Sequence, residues 1–302
     1  MNKFKGILAQ SGNFSKFYLL IFKLFLLVVA TFFFTLVALL FWTLITGGDS
    51  IETGSLKILQ LFQSIGMFVI PPLVLAYLWS EKPIAYLQLD KKTKGLNVLF
   101  VILFMLLAIP FINLLGDLNQ QLVLPESFAW LEDWMKTSEA QATQLTERLL
   151  NVHSVQGLLF NILLIALLPA LGEELFFRGA IQNVFREWKG ALAAIWITAI
   201  IFSTIHLQFY GFIPRLLLGA FFGYMLVWSG NLWLPVLAHF TNNAIAVIFY
   251  YLKINGYQTI DIDAIGTGST MWVGLVSAVF VIAGIVWLRK HLQNTNFQSP
   301  VN

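Results

Sequence analysis

The sequence predicts an all-α, polytopic membrane protein of about eight transmembrane helices, with both termini in the cytoplasm. Three observations carry this. Apolar residues occupy 58% of the 302 positions and charged residues only 11%, less than half of the roughly 25% typical of soluble domains. Uncharged apolar stretches of about 20 residues, the length a helix needs to cross a bilayer, recur along the chain. Lysines and arginines are also unevenly divided between alternate loops, which sets an orientation. The composition excludes a soluble enzyme and a disordered chain. With no cysteine, disulfide scaffolds, thiolate nucleophiles and Cys-ligated metals are excluded too.

The expected spans are Leu24–Gly48, Ile58–Ser80, Gly95–Gly116, Ser154–Gly172, Gly190–Leu207, Phe212–Ser229, Leu232–Leu252 and Ala264–Leu288. The first is too long and too deep in the chain for a cleavable signal peptide, so it is read as retained. The N-terminal side carries Lys3, Lys5, Lys16, Lys23, Lys82, Lys91, Lys92, Lys94, Arg178, Arg186, Lys189, Arg289 and Lys290. The other side has only Lys57, Lys136, Arg148, Arg215 and Lys253. The positive-inside rule therefore puts the termini inside. Three parts follow: a three-span region over 1–153 with an outer loop at 117–153, a four-span core over 154–252, and a last span with its tail over 253–302. Within the outer loop, Ser127–Leu150 mixes Trp130, Trp134 and Leu145 with polar residues, the pattern of a helix lying on the membrane surface.

Ionisable groups at bilayer depth cost roughly 2.5–3.5 kcal/mol each, so each one asks for a reason. The list is Glu173, Glu174, Arg178, His206 and His239, with Asn243 as a polar companion. At 1.5 Å per residue along a helix, Glu173, His206 and His239 reach a similar depth on three different spans. Glu174 and Arg178 are four apart on one face, so Arg178 can neutralise Glu174. Glu173 turns about 100° away, with Phe177 at the position where a partner would sit, and is left to face a cavity. His239 and Asn243 share one face, as do Phe202 and His206. Gly219 and Gly223 have the spacing of close helix packing. One carboxylate, two imidazoles and an amide form the inventory of a hydrolytic site.

Glu173-Glu174-Leu175-Phe176-Phe177-Arg178 matches EExxxR, Phe202-Ser203-Thr204-Ile205-His206 matches FxxxH, and His239-Phe240-Thr241-Asn242-Asn243 matches HxxxN. In that order the three motifs resemble the CPBP (ABI) family, intramembrane endopeptidases related to type II CAAX prenyl proteases and bacteriocin-processing enzymes. The resemblance covers about Ser154 to Leu252. It implies a hydrolase, often called a metalloprotease, in which Glu173 and His206 activate the attacking water. His239 and Asn243 would stabilise the oxyanion or help hold a metal, and Glu174 and Arg178 would orient Glu173. Two site chemistries stay open: a divalent metal such as zinc on Glu173, His206 and His239, or a metal-free glutamate base. The partners it implies are the lipid bilayer and a peptide or membrane-protein substrate, entering from the cytoplasmic side, with no nucleic acid. Family breadth points to a bacterial plasma membrane. The competing classes are a proton-coupled transporter using the same residues as a relay and a non-catalytic membrane scaffold.

Overall fold

The computed structural model describes residues 5–8, 15–48 and 52–297, and among them it is helical with no strand. Lys3, counted in the charge bias, lies outside the described residues. The helices are α1 (Lys16–Thr46), α2 (Thr53–Trp79), α3 (Gly95–Gln120), α4 (Ala129–Leu150) and α5 (Val155–Lys189). They continue as α6 (Ala191–Thr204), α7 (Phe212–Ser229), α8 (Trp233–Ile254) and α9 (Met271–Phe297). Among the described residues, six segments are long and apolar enough to cross a membrane: α1, α2, α3, α5, α9 and a segment running from Phe209 through α7. The chain is thus an integral, multi-pass membrane protein. Of the eight spans expected, α6 is only 14 residues, or about 21 Å at 1.5 Å per residue, short of a core about 30 Å thick. The α8 helix, which carries His239, Asn242 and Asn243, is not among the six.

Three boundaries moved for visible reasons. The fourth span does not stop at Gly172 but runs on through both glutamates to Lys189, because Glu174 is paired with Arg178 inside the bundle and Glu173 faces His206 and His239 rather than lipid. The first span begins at Lys16, upstream of Leu24, since Lys23 is buried against Glu187 at 2.6 Å. The last begins at Met271 because the run from Ala264 is broken by Gly266 and Gly268, both with positive φ.

Proline explains two of the three widened, π-helical turns. In α2 the widened turn Ile65–Val69 directly precedes Pro71 and Pro72, and in α5 the turn Ile162–Leu167 precedes Pro169. A proline lacks the N–H and crowds the carbonyl four residues back, so widening the turn relieves the clash while keeping most bonds. The third, Glu174–Ile181, has no proline near it. It carries Arg178, and wide turns of this kind recur at functional sites.

The two larger apolar cores draw on different helices. One joins α1, α2, α5 and α6 around Leu27, Trp79, Phe177 and Phe185. The other joins α3, α7, α8 and α9 around Phe104, Phe221, Met225 and Leu234. Where α1 crosses α2, Gly66 is what permits contact: a Cβ there would lie 2.6 Å from the Phe34 carbonyl oxygen and 2.8 Å from the Ala38 Cβ. Gly116 in α3 has open space around it. We expect Gly66→Ala to lower stability by about 1–3 kcal/mol through overpacking, read as an earlier melting transition in detergent. Gly116→Ala should leave melting unchanged or raise it slightly, and equal effects at the two positions would contradict this account of the crossing.

Candidate active site

Five of the residues singled out from the sequence meet in one place. Glu174 and Arg178 form its floor, both fully buried, with Arg178 Nη1 donating to Glu174 Oε1 at 2.8 Å. The guanidinium also donates from Nη2 to the Gly219 carbonyl at 3.0 Å. Its flat faces are covered by aromatic rings, with the carbon centre 4.6 Å from the Phe202 ring and 5.5 Å from the Phe222 ring. One turn on, Gln182 Nε2 donates to the Gly223 carbonyl at 3.2 Å. The two glycines four apart on α7 thus serve two side chains four apart on α5. A Cβ at Gly219 would lie 3.2 Å from Phe202 Cδ1, and one at Gly223 would lie 2.7 Å from Gln182 Oε1. The GxxxG spacing is a packing device, and it also exposes two carbonyls to polar partners.

The two histidines are oriented by their Nδ1 atoms. His206 Nδ1 lies 2.7 Å from the Phe202 carbonyl oxygen, and His239 Nδ1 lies 2.9 Å from Glu174 Oε1. A carbonyl and a carboxylate can only accept, so each neutral ring carries its proton on Nδ1 and presents a lone pair at Nε2. Both Nε2 atoms turn to the same neighbour: Glu173 Oε2, at 4.0 Å from His206 and 3.9 Å from His239. That oxygen is buried and has no hydrogen-bond partner. Three acceptors therefore converge across gaps too long for a hydrogen bond, and what complements them is a donor or a cation. Side-chain exposure grades from 0% at Glu174 and Arg178, through 8% at His239 and 15% at Glu173, to 27% at His206. The cluster is sealed at the floor and opens past His206.

His206 is not on a helix. The α6 helix stops at Thr204, and the chain reverses through Ile205–Gly211, with Leu207 at φ 54°, before α7 starts. Irregular backbone inside a membrane protein must find its bonds within the protein, and here it does. Asn119 of α3 donates to the Phe209 carbonyl at 2.9 Å and accepts from the Ile213 N–H at 2.7 Å. Arg215 donates to both the carbonyl and the side-chain oxygen of Gln208, at 3.1 and 3.0 Å. Ser203 Oγ donates to the Phe212 carbonyl at 2.8 Å, and Glu139 of α4 accepts from the Tyr210 N–H at 3.3 Å. The α4 helix, expected to lie on the membrane surface, therefore holds this turn as well.

The structure does not tie every expected residue into the cluster. Asn243 lies one turn from His239 on α8, but its recorded bond is to Asn242 at 3.3 Å and none joins it to Glu173 or either histidine. Arg178, counted with the inner-side charges, faces no surface. The Glu174–His239 bond, the aromatic walls at Phe202 and Phe222 and the Asn119 clasp were not foreseen. Only the glycine spacing at 219 and 223 hinted at any of these.

The spacing of this donor set bears on whether it can hold a metal. Two imidazoles and a carboxylate suit zinc in kind, but bonds near 2.0–2.1 Å imply ligand separations of about 3.3 Å in a tetrahedron. The separations here are 3.9 and 4.0 Å, and among the described residues no three His, Asp or Glu side chains are grouped so as to hold an ion. As arranged, the residues do not fit one.

Residues 155–245 match the family model described as type II CAAX prenyl endopeptidase Rce1-like, which bears out the resemblance carried by the three motifs. The matched segment spans Glu173, His206, His239 and Asn243. Two relatives are similar over part of the chain. An uncharacterized 24.3 kDa protein of Escherichia coli is 32% identical over 105 residues, covering 32% of this chain and 46% of that protein. The uncharacterized protein YpbD of Bacillus subtilis (strain 168) is 30% identical over 89 residues, covering 28% of this chain and 43% of that protein. The chain thus spans less than half the length of each of these relatives. No solved structure matches.

Removing one partner of a buried ion pair strands the other charge, which costs about 3–5 kcal/mol. Glu174→Gln should therefore lower the melting temperature in detergent well below that of Glu173→Gln, whose side chain has no bonded partner. The reverse ranking would show that the two carboxylates have exchanged roles.

Proposed function

We propose that this protein is an intramembrane endopeptidase in which Glu173 draws a proton from a water that attacks a peptide carbonyl. The observation that carries the reading is the unpartnered Glu173 Oε2 facing two Nε2 lone pairs at 3.9 and 4.0 Å. A water oxygen about 2.8 Å from each of two such acceptors, with its hydrogens directed at them, would subtend an angle near 90°, within the range of a bent donor. The family match over residues 155–245 supports hydrolysis within the membrane.

The residues divide the work by what they can donate or accept. Glu173 takes the proton as the water oxygen bonds to the carbonyl carbon, and His206 accepts the water's second hydrogen and holds its orientation. The carbonyl π electrons move onto oxygen. Before the attack His239 takes a proton from solvent at Nε2, with Glu174 accepting at its Nδ1, and it donates a hydrogen bond from Nε2 towards that oxyanion, a division of labour like that of an Asp–His pair. Asn243 would complete the oxyanion contact with its amide once a substrate is seated. As the tetrahedral intermediate collapses, Glu173 returns its proton to the departing amine and the C–N bond breaks. Arg178 holds Glu174 in place through the bond to its Oε1, so its part is positional.

The substrate is a peptide or the segment of a membrane protein, and the family description points to prenylated proteins as one class. The route in runs past His206, the most exposed member of the cluster. A polar cavity of about 670 Å³ lies at that end, bordered by Lys136, Glu139, Gln144, Glu147 and Tyr210. With α4 on the outer side of the charge bias, this geometry favours water entry from that side over the cytoplasmic route that charge alone suggested. A bacterial plasma membrane fits the sources of the two relatives.

Two measurements test the reading. Purified wild-type protein should cleave members of a pooled library of peptides and membrane proteins, detected by mass spectrometry. Glu173→Gln should lose at least about a thousandfold in rate, the scale at which a nucleophile loses its base, while melting like wild type. Undiminished cleavage by Glu173→Gln would overturn the assignment, and Glu173-dependent proton flux in liposomes without cleavage would favour a transporter. Elemental analysis of active protein should give well under one metal per chain. About one zinc per chain, lost in His206→Ala, would replace the glutamate base with a metal site.

A further inference from the structure

On the side of α7 away from the catalytic cluster lies a second cavity, of about 710 Å³, between α3, α6, α7 and α9. Successive residues of α7 separate the two: Phe222 stacks on His239, while Phe221 lines this cavity and packs against Phe104. Its shaft is apolar and aromatic, walled by Phe104, Phe221, Ile282 and Val286. The volume falls within the roughly 300–1,000 Å³ of sites that take small organic molecules. The mouth is different in kind. Arg289, Lys290 and Gln293, near the end of α9, line it, and neither cation has an ion-pair partner among the described residues.

This mouth lies at one defined end of the bundle. His291 Nε2 is bonded to Asn97 Oδ1 at 3.1 Å, tying the end of α9 to the start of α3 just after Lys91, Lys92 and Lys94. All these cations belong to the side that the positive-inside rule assigns to the cytoplasm. Ile282 is 62% and Val286 50% exposed, so the shaft opens sideways into hydrocarbon. An apolar slot open to the membrane, with two unpaired cations at headgroup level, is complementary to a molecule with one apolar tail at depth and an anionic head above it. Anionic lipids of the cytoplasmic leaflet have that chemistry, and basic pockets between helices on that face are where such headgroups bind.

We propose that this cavity is a binding site for an anionic phospholipid, with an acyl chain between α3, α7 and α9 and the phosphate on Arg289 and Lys290. It is independent of the peptidase reading, since Glu173, His206 and His239 are not among its lining residues. The phosphate diester accepts from the guanidinium and ammonium, and the acyl chain covers the exposed wall at Ile282 and Val286, with Phe104 and Phe221 at its back.

The test is lipid retention by the full chain, read by native mass spectrometry after exchange into detergent with equal amounts of phosphatidylglycerol and phosphatidylcholine of identical chains. Wild type should retain the anionic lipid about tenfold over the zwitterionic one, as expected from two cations near the membrane surface. Arg289→Gln/Lys290→Gln should bring the ratio near one. Ile282→Trp fills the shaft from an exposed position and should reduce retention of both lipids. Lys290→Gln alone serves if the double variant melts early, with a ratio between the two. Equal retention of both lipids by wild type, or an unchanged ratio in the folded charge variants, would overturn the proposal.

Discussion

The Arg178 guanidinium is a full positive charge with no exposed surface, held inside a bundle that is otherwise nearly all hydrocarbon. Everything around it answers to that constraint. An unpaired ion there would cost several kcal/mol, so α5 supplies Glu174 one turn back, α7 supplies a carbonyl at Gly219, and rings close over both faces of the guanidinium. For the carbonyl to be reachable, α7 must come close, and it can do so because Gly219 and Gly223 leave room for α6 and Gln182. The close approach of three helices thus follows from neutralising one side chain.

The same pair sets the chemistry. Glu174 Oε1 accepts from Arg178 and from His239 at once, so the anion that neutralises the arginine also fixes the ring that faces the cavity. Stability and function are coupled at this oxygen. Oε2 of each glutamate is buried without a hydrogen-bond partner, but Glu174 is fixed through its other oxygen and turns Oε2 away from the histidine Nε2 atoms, whereas Glu173 Oε2 faces both of them. Adjacent in sequence and turned apart by the helix, one carboxylate anchors its neighbours and the other faces the open side of the cluster. His206 reaches the cluster by a different device, a chain reversal within the bundle whose exposed backbone groups are met by Asn119, Ser203, Arg215 and Glu139.

The α7 helix separates two environments. Its Phe222 side faces the polar cluster, and its Phe221 side faces an apolar slot open to the membrane. A helix can do this only if adjacent residues serve different neighbours, and the near-100° turn per residue makes that automatic.

Much of the fold could be read from the chain alone, because apolar length and charge placement act locally. The existence and approximate limits of the apolar helices, the i,i+4 pairing of Glu174 with Arg178, the freedom of Glu173 and the similar depth of Glu173, His206 and His239 all follow from helical rise and periodicity. What periodicity cannot reach is contact between helices. That α5 continues through two glutamates to Lys189, that α6 ends early and leaves His206 on a turn, and that Glu174 binds His239 depend on partners 41 to 94 residues away. Asn243 shows the converse: its sequence spacing aligned it with His239, but no bond brings it into the cluster. Local pattern determined which residues could face one another, and only the packing of the helices decided which of them did, since buried charges and irregular backbone take whatever partner the tertiary structure brings within hydrogen-bond reach.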